Sequence, residues 1–453
     1  MGVTESRRLA FETLLELEKT GKKSSELITA VLEKYDWMEQ RDKAFYRRLT
    51  EGVTERRLSL DHVIDHYAAV KGGKIKLPVR LILRMGVYQL LYMDSVPASA
   101  ACDQSVQLAK KKGLGGLAPF VNGVLRRIDR SRDAVRELFE GEDSTEAVSL
   151  RYSVPEWITA LLTERFGKER SLLFLRSLYA ERPLSVHISA GADAEKLTHA
   201  WEEAGVRVSS CPYLPEIRYL YDVPGVEHLY GYAEGAFFVQ DVSSLLAVKA
   251  AGIKPGDVVA DVCAAPGGKS LAAAELCGEE GRVYSYDLTE EKLSRIKENA
   301  RRFRLGNLVA QQRDARLAPE EGELEKADVL ICDLPCSGLG VMGRKTQIRY
   351  RQKPEEIAEL SKLQREILKA AFPRLKKGGT LLYSTCTLTK EENDDNREWL
   401  LSEFPLKSAD ITERIPEMLR QESTAEGYLQ LLSGIPEGEV PLDGFYISVF
   451  RRD

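Results

Sequence analysis

The sequence predicts a multidomain protein: an all-α N-terminal domain, a small α+β middle domain, and a C-terminal α/β domain of the doubly wound, Rossmann-like type. Three observations support this prediction. Apolar residues recur at helical spacing through residues 4–135. Helix and strand patterns mix over residues 147–235. Beyond them, strands and helices alternate, which is typical of a parallel sheet covered by helices. We therefore expect domains at 1–140, 147–235 and 236–453.

The composition sets several expectations about environment. No apolar run approaches the ~20 residues of a membrane span, and no signal peptide precedes Arg7-Arg8. The seven cysteines form no Cys-x-x-Cys motif and no paired framework. His62 and His66 lie one helical turn apart, but no third ligand accompanies them. We therefore expect a cytoplasmic protein in a reducing compartment, monomeric, with no membrane contact and no metal.

The formal net charge of −5 hides an asymmetry. Residues 1–135 contain 24 Lys and Arg against 17 Asp and Glu, a net charge of +7, whereas the remainder carries −12. A basic N-terminal third on an acidic chain indicates an anionic partner such as nucleic acid. On charge alone, a solvated helical surface explains the same pattern.

The N-terminal domain is expected to be helical throughout, with apolar faces near residues 9–17, 58–67, 79–92 and 105–112. It resembles the NusB-like RNA-binding helical domains. The resemblance rests on the segments 56–61 (RRLSLD), 83–90 (LRMGVYQL) and 120–127 (FVNGVLRR). The candidate phosphate contacts are Arg47, Arg48, Arg56, Arg57, Arg126 and Arg127.

A polar stretch at residues 141–146 predicts the boundary to the middle domain. Pro155 opens a helix there, because proline is favoured in a first turn. Strands are predicted at 183–189 and 206–209, with a helix at 192–204 between them. This module carries no catalytic constellation. Its position in the chain suggests that it bridges the flanking domains and lines the path of the RNA.

The C-terminal domain is organised around residues 258–270, VVADVCAAPGGKS. The β-branched apolar run predicts a buried parallel strand. Pro266-Gly267-Gly268 predicts a turn, and residues 271–276 predict a helix. A unit of strand, glycine turn and helix presents backbone N–H groups and a helix N-terminus to a ligand.

Three ligands compete for this loop. A dinucleotide site requires G-x-G-x-x-G, which is absent. A P-loop requires G-x-x-x-x-G-K-[ST]; Gly268-Lys269-Ser270 fits its end, but Cys263 stands where the first glycine belongs. S-adenosylmethionine requires a carboxylate for its ribose hydroxyls, and Asp287 lies nineteen residues after Gly268. S-adenosylmethionine is favoured, with a P-loop NTPase as the alternative.

Further strands are predicted after this unit, and ligands bind beyond the carboxyl ends of such strands. Asp314 is placed to accept from an adenine amine, although an acidic loop residue explains it equally. Asp333 lies in the motif DLPCSG, where a P-loop protein would have its Walker B strand. That alternative has no use for Cys336 or Cys386. The predicted strands are 258–263, 282–286, 308–312, 327–332 and 379–384, with a closing pair at 427–432 and 444–450.

Cys336 and Cys386 follow separate strands that end at the same edge of the sheet. Two thiols that converge on one crevice indicate covalent chemistry in a dry site. The other cysteines outside the loop are expected to be buried and inert; these are Cys102, Cys211, Cys277 and Cys332.

Together the motifs at 263–269, Asp287, Asp314, 333–338, 384–387 and 443–446 resemble the RNA 5-methylcytosine methyltransferases of the Sun (RsmB-like) family. The NusB-like domain indicates the RsmB branch, which acts on small-subunit (16S) ribosomal RNA. Leu334 and Tyr446 depart conservatively from the family pattern. The resemblance covers essentially the whole chain. It implies a class I methyltransferase domain that binds S-adenosyl-L-methionine through Cys263, Ala264, Ala265, Pro266, Gly267, Gly268, Lys269, Asp287, Asp314 and Asp333.

The same resemblance implies catalytic roles. C5 of cytosine is a poor nucleophile, and a thiolate that adds to C6 turns the ring into an enamine that can attack the sulfonium methyl. Cys386 would be this nucleophile, and Cys336 would help remove the C5 proton and release the product. Asp333 would hydrogen-bond N3 and the exocyclic amine as a buried, protonated acid, and Lys269 is a candidate electrostatic helper. In DNA cytosine methyltransferases the Pro-Cys thiol attacks instead, which would be Cys336.

The target cytosine must be single-stranded or flipped out of a duplex. The residues after the Asp333 motif combine positive charge with Tyr350, as strand-binding grooves do, although a solvated loop explains them equally. The candidate RNA contacts are Arg344, Lys345, Arg349 and Arg351, with Arg126 and Arg127. Action on tRNA or another RNA is the alternative. A P-loop NTPase or a non-catalytic RNA-binding assembly factor is a more distant one.

Overall fold

The computed structural model describes residues 4–70, 74–139, 144–223, 225–319, 326–434 and 440–453. The chain divides into two compact units: Met1–Glu164 with Arg349–Arg351, and Arg165–Ile348 with Gln352–Asp453. The three domain boundaries expected from the sequence stay a prediction. Residues 141–143 of the expected polar boundary lie outside the described residues.

The first unit is helical, as the sequence predicts. Its last helix continues two residues into the second unit. The helices are α1 (Glu5–Thr20), α2 (Ser24–Lys34), α3 (Gln40–Glu55), α4 (Arg57–Tyr67), α5 (Leu77–Tyr92), α6 (Ala98–Lys111), α7 (Ala118–Arg130), α8 (Arg132–Glu137), α9 (Thr145–Tyr152) and α10 (Glu156–Phe166).

Helix α5 is the centre of this unit, because residues on all of its faces are buried. Two of those residues are arginines, and each has carboxylate partners. Arg84 donates to both oxygens of Asp61 at 2.8 and 2.6 Å, and Arg80 donates to the same aspartate at 3.1 Å. Charges are buried at tolerable cost only when paired in this way, so an apolar helix carries two arginines without breaking the core.

The second unit begins with two helices and a small antiparallel sheet. The elements are α11 (Lys168–Ser177), β1 (Leu184–Ile188), α12 (Ala194–Glu203), β2 (Arg207–Ser210), β3 (Ile217–Tyr221) and β4 (Phe237–Val239), and the strand order is β2-β3-β1-β4. The predicted strands at 183–189 and 206–209 and the helix between them are confirmed. The strands β3 and β4 were not predicted, since β4 is only three residues long and leads directly into a helix.

The larger sheet of this unit has strand order β10-β12-β9-β8-β5-β6-β7, and β11 also pairs with β12. The strands β5 to β9 run parallel, whereas β12 is antiparallel to its neighbours. The bounds are β5 (Val258–Asp261), β6 (Arg282–Asp287), β7 (Leu308–Gln312), β8 (Ala327–Asp333), β9 (Leu375–Thr385), β10 (Leu406–Ser408), β11 (Tyr428–Leu431) and β12 (Phe445–Arg452).

The remaining helices are α13 (Val242–Ala251), α14 (Gly268–Cys277), α15 (Glu290–Arg302), α16 (Ile348–Arg351), α17 (Pro354–Ala371) and α18 (Asp394–Glu403). The last three residues of α16 belong to the first unit. Every strand predicted for this domain is confirmed, while β10 was missed because three residues are too few to show alternation. The strand order reverses between β5 and β8. The fold therefore places a ligand crevice beyond the carboxyl ends of these strands.

No helix in the described ranges is long and apolar enough to cross a membrane.

Candidate active site at the carboxyl edge of the sheet

The loop after β5 is held in a fixed shape by backbone hydrogen bonds. Ala264 N–H donates to the carbonyl of Tyr286 at 2.9 Å, and Gly267 N–H donates to the carbonyl of Ala264 at 2.7 Å. Gly267 has a φ of 108°, a left-handed conformation that favours glycine, and a Cβ there would lie 3.0 Å from Ile296. Helix α14 starts at the next residue, so its N-terminal N–H groups lie at this loop.

Two of the predicted acidic residues lie at the carboxyl ends of β6 and β7. Asp287 is buried at the end of β6, and its Oδ2 accepts from Ala265 N–H at 3.0 Å. Its Oδ1 accepts from Lys292 Nζ at 3.0 Å. Asp314 follows β7, the strand that pairs with β6, and both of its oxygens accept from Arg316. Hydrogen bonds from that guanidinium lower the pKa of Asp314 to about 2.

Asp333 ends β8 and pairs with Lys269 in the first turn of α14. Lys269 Nζ lies 2.7 Å from Oδ2 of Asp333 and 2.9 Å from the hydroxyl of Ser244. Oδ1 of Asp333 accepts from the Ser384 hydroxyl at 2.8 Å. Burial opposes the charge of Lys269, but the neighbouring Asp333 more than offsets it and raises the pKa of Lys269.

The sequence analysis expected Asp333 to be a buried, protonated acid. Its side chain keeps 30% of its exposure, and its two oxygens accept hydrogen bonds from the Lys269 ammonium and the Ser384 hydroxyl. Its burial is therefore only partial, and its role as an acid stays a prediction.

The two predicted thiols meet at this edge. Sγ of Cys336 and Sγ of Cys386 lie 3.4 Å apart, and both residues are partly exposed. Cys336 belongs to the segment 334–338 after β8, which we call the Cys336 loop. Cys386 belongs to the segment 386–393 after β9, which we call the Cys386 loop. Register between the strands aligns these loops, since Asp333 pairs with Ser384.

The two thiols differ in their electrostatic surroundings. The hydrogen bond from Cys336 lowers the pKa of Cys386; burial and Asp333 oppose this effect, and Lys345 and Lys269 add to it. The same hydrogen bond, together with burial, raises the pKa of Cys336 well above its usual range, and Glu392 and Asp333 raise it further. These opposite shifts favour Cys386 as the thiolate and Cys336 as the S–H donor of the pair.

One predicted RNA contact is corrected by the structure. Arg349 is fully buried, so the prediction that it contacts RNA is wrong. Arg344 pairs with Asp443 at 2.8 Å and with Asp241 at 3.3 Å but is exposed, and its contact with RNA stays a prediction. Lys345 and Arg351 are exposed, and their contact with RNA stays a prediction.

The basic residues of the first unit are partly engaged as well. Arg126 pairs with Asp103 at 3.2 Å, and Arg127 donates to the carbonyl of Tyr67 at 3.0 Å. Arg56 lies 4.9 Å from the ring centre of Tyr92. Phosphate contact by these residues stays a prediction.

Sequence reasoning missed several side chains that support the site. Ser244 contacts Lys269, and Gln240 donates to the carbonyl of Gly268 at 2.9 Å. Glu392 and Asn393 are fully buried in the Cys386 loop. The sequence signal for them is the pair Glu392-Asn393, a charged residue followed by an amide, a few residues after Thr385-Cys386-Thr387. Across the described ranges, no cluster of three or more His, Cys, Asp or Glu side chains could hold a metal ion.

The doubly wound sheet, the glycine loop and the paired thiols at the strand ends are features of a methyltransferase domain, and a helical domain precedes it. Two family models identify both domains. One described as 16S rRNA methyltransferase RsmB/F matches residues 249–451, and one described as the NusB family matches residues 4–130.

Relatives match over the full length. The probable ribosomal RNA small subunit methyltransferase B of Bacillus subtilis (strain 168) is 33% identical and covers 100% of both chains. The protein described in the same words from Synechocystis sp. is 32% identical and covers 99% of both. The chain belongs to the RsmB/F family of 16S rRNA methyltransferases. This family assignment excludes the two distant alternatives of the sequence analysis, a P-loop NTPase and a non-catalytic assembly factor.

Solved structures share the fold. The structure titled PH0851 has a TM-score of 0.80 at 24% identity and covers 100% of both chains. NSun6 from Pyrococcus horikoshii, solved with SFG, has a TM-score of 0.56 at 21% identity and covers 64% of this chain and 96% of its own.

Proposed function

We propose that this chain transfers the methyl group of S-adenosyl-L-methionine to C5 of a cytosine in 16S ribosomal RNA, through a covalent bond between Cys386 and C6. One observation carries the proposal. Two thiols lie 3.4 Å apart at the sheet edge that also holds the Asp333–Lys269 pair. A single structural cysteine needs no such neighbour, whereas addition to C6 followed by removal of the C5 proton uses two groups in contact.

The loop after β5 suits S-adenosylmethionine in its chemistry. The cofactor, when bound, supplies a methyl group on a positively charged sulfur. The N–H groups at the start of α14 are donors for polar groups of the cofactor, and Gly267 keeps a Cβ away from the loop. Asp287 is the acceptor for the ribose hydroxyls, and Asp314 is the acceptor for the adenine amine. The full proposed set is Cys263, Ala264, Ala265, Pro266, Gly267, Gly268, Lys269, Asp287, Asp314 and Asp333.

The first step is addition. The Cys386 thiolate forms a bond to C6, and the electrons of the C5–C6 double bond move to make C5 nucleophilic. The S–H group of Cys336 and the cations Lys345 and Lys269 favour the thiolate that this step requires. Asp333 lies next to the thiol pair. There it holds the exocyclic amine as an acceptor, while a protonated form would be required only as N3 gains charge.

The second step is transfer and release. C5 would take the methyl carbon that bound S-adenosylmethionine supplies, and the electron pair of the broken bond would stay on the cofactor sulfur. Cys336 then gives its proton to water and, as a thiolate, removes the proton from C5. The electrons of that C–H bond re-form the double bond, and the bond between C6 and Cys386 breaks to restore the thiolate. Cys336 is suited to this later role because its raised pKa favours the protonated form while Cys386 attacks.

Ribosomal RNA is the proposed substrate. The full-length relatives are named for the small-subunit ribosomal RNA, which supports 16S RNA over tRNA. The positive net charge of residues 1–135 suits a polyanion, and its matched NusB model supports an RNA-binding role for that region. Such a substrate agrees with a cytoplasmic location and with a base that is unpaired or flipped out.

The test supplies S-adenosylmethionine with a labelled methyl group to the purified protein, with 16S RNA or tRNA as acceptor. We expect label in 16S RNA alone, with bisulfite sequencing placing it at a single cytosine. Asp287→Ala should require at least tenfold more cofactor for half-maximal rate, because a buried acceptor is lost. Asp328→Asn, a carboxylate at the opposite end of β8, is the matched control. Label in tRNA alone would contradict the substrate, and label at another atom of the base would contradict the chemistry.

A further inference from the structure

Glu392 is a fully buried carboxylate that the chemistry described above leaves without a role. In the described part of the chain no lysine or arginine forms an ion pair with it. Burying a carboxylate is costly unless hydrogen bonds replace its water. Four donors do so here, and three of them come from elements that carry or adjoin the two thiols.

The donors connect the two thiol loops. Oε1 of Glu392 accepts from the backbone N–H of Ser337 at 2.9 Å, and Oε2 accepts from the Ser337 hydroxyl at 2.5 Å. Ser337 follows Cys336 directly, so these bonds fix the Cys336 loop from the Cys386 loop. Thr389 of the Cys386 loop donates to Oε2 at 2.8 Å. Gln364 of α17 donates to Oε1 at 3.0 Å and to the carbonyl of Pro335 at 2.9 Å.

The next residue, Asn393, fixes the other thiol. Its Oδ1 accepts from the Thr385 hydroxyl at 2.6 Å, and its Nδ2 donates to the carbonyl of Thr387 at 3.1 Å. Thr385 and Thr387 flank Cys386 on both sides. The hydroxyls of Thr387 and Ser337 lie 2.5 Å apart and close the connection between the loops.

We infer that Glu392 and Asn393 are positioning residues that hold the Cys336 and Cys386 loops together, and that the charge of Glu392 keeps Cys336 as the S–H donor to Cys386. The two loops are held by different kinds of group, which supports this inference. The carboxylate of Glu392 binds the Cys336 loop, whereas the neutral amide of Asn393 binds the residues on both sides of Cys386. The role of Glu392 and Asn393 in catalysis rests on the proposed function. Their effect on the pKa values of the two thiols does not.

The test measures alkylation of each thiol by iodoacetamide in the free protein, read by mass spectrometry from pH 6 to 10. In Glu392→Gln the anion is lost and an amide N–H₂ faces donors. We expect alkylation of Cys336 to rise about threefold at pH 8, since a gain in thiolate is partly offset by weaker nucleophilicity. Alkylation of Cys386 should fall at the same time, because its S–H donor is displaced. Unfolding would instead raise both rates.

Glu275→Gln is the matched control. This glutamate accepts from Ala190 N–H at 3.2 Å and contacts neither thiol loop, so both alkylation rates should equal those of the wild type. Ser337→Ala removes the hydroxyl link between the loops but keeps the Glu392 carboxylate. Alkylation of Cys336 should again rise and alkylation of Cys386 should again fall, each by a smaller factor than in Glu392→Gln. Ser337→Ala serves as the deciding variant if Glu392→Gln does not fold.

Unchanged rates in both variants, or an equal rise at both thiols of folded protein, would overturn the inference. Because neither RNA nor cofactor is present, this outcome is independent of whether the chain methylates 16S RNA.

Discussion

The Cys336 and Cys386 loops follow neighbouring parallel strands, and each places one thiol at the same edge of the sheet, yet their surroundings differ. The Cys386 thiol lies near the cations Lys269 and Lys345. The Cys336 thiol lies near the carboxylate of Glu392, while Asp333 raises the pKa of both thiols. Two chemically identical groups 3.4 Å apart thus have pKa values shifted in opposite directions. The comparison teaches that the surroundings of a thiol, and not its position on the sheet, set the direction of its pKa shift.

The largest effect is expected when one thiol is removed at a time. Methyl transfer by Cys386→Ala should fall to background, and this variant should form no covalent complex with RNA. The double variant, Cys336→Ala with Cys386→Ala, should give the same result. Cys336→Ala should transfer the methyl group and then stall, leaving a protein–RNA adduct that survives denaturing electrophoresis. Cys277→Ala, which removes a buried cysteine elsewhere, is the control. An adduct in Cys386→Ala and none in Cys336→Ala would reverse the roles.

A smaller effect is expected where the two strands are joined. The Ser384 hydroxyl on β9 donates to Asp333 on β8 at 2.8 Å. Ser384→Ala removes a hydrogen bond to a charged group, typically about 1.5–3 kcal/mol, so single-turnover methyl transfer should slow at least tenfold. Ser448→Ala is the control, since its buried hydroxyl has no hydrogen-bond partner among the described residues. Equal rates in both variants would show that this bond does not serve the reaction.

The smallest effect is expected in the pH dependence of the rate when a cation near Cys386 is removed. Lys345 lowers the pKa of Cys386, and the thiolate is the reactive form. Lys345→Met therefore raises that pKa, so the acid limb of the single-turnover rate profile should move to higher pH. We expect a loss of about threefold at pH 7 that disappears near pH 10 and shrinks in high salt, because Lys345 is exposed. Lys362→Met, an exposed lysine on α17, should leave the profile in place.

Much of the second unit could be predicted from local pattern. Each parallel strand is an apolar run, and the acidic and thiol residues follow strand ends that must share one edge. Asp287 and Asp333 were found in this way. Asn393 and Glu392 were not, because their burial depends on donors such as Gln364, which lies 28 residues away in the sequence.

Arginines show the same limit. Arg349 sits in a basic segment that is typical of a nucleic-acid surface, yet it is fully buried. Arg344 pairs with Asp443, 99 residues further along the chain. A charge pattern records which side chains are cationic but not which carboxylates the fold brings to them. The charge pattern therefore did not predict the burial of Arg349.

The position of β12 bears on how the enzyme is made. This strand pairs with β9 from Thr380 to Thr385, the residues that lead to Cys386. During translation β9 leaves the ribosome well before β12 does, so one edge of β9 stays unpaired until β12 has been synthesised. An unpaired strand edge is a template for pairing with other chains, so the sheet is open to misassembly during this interval.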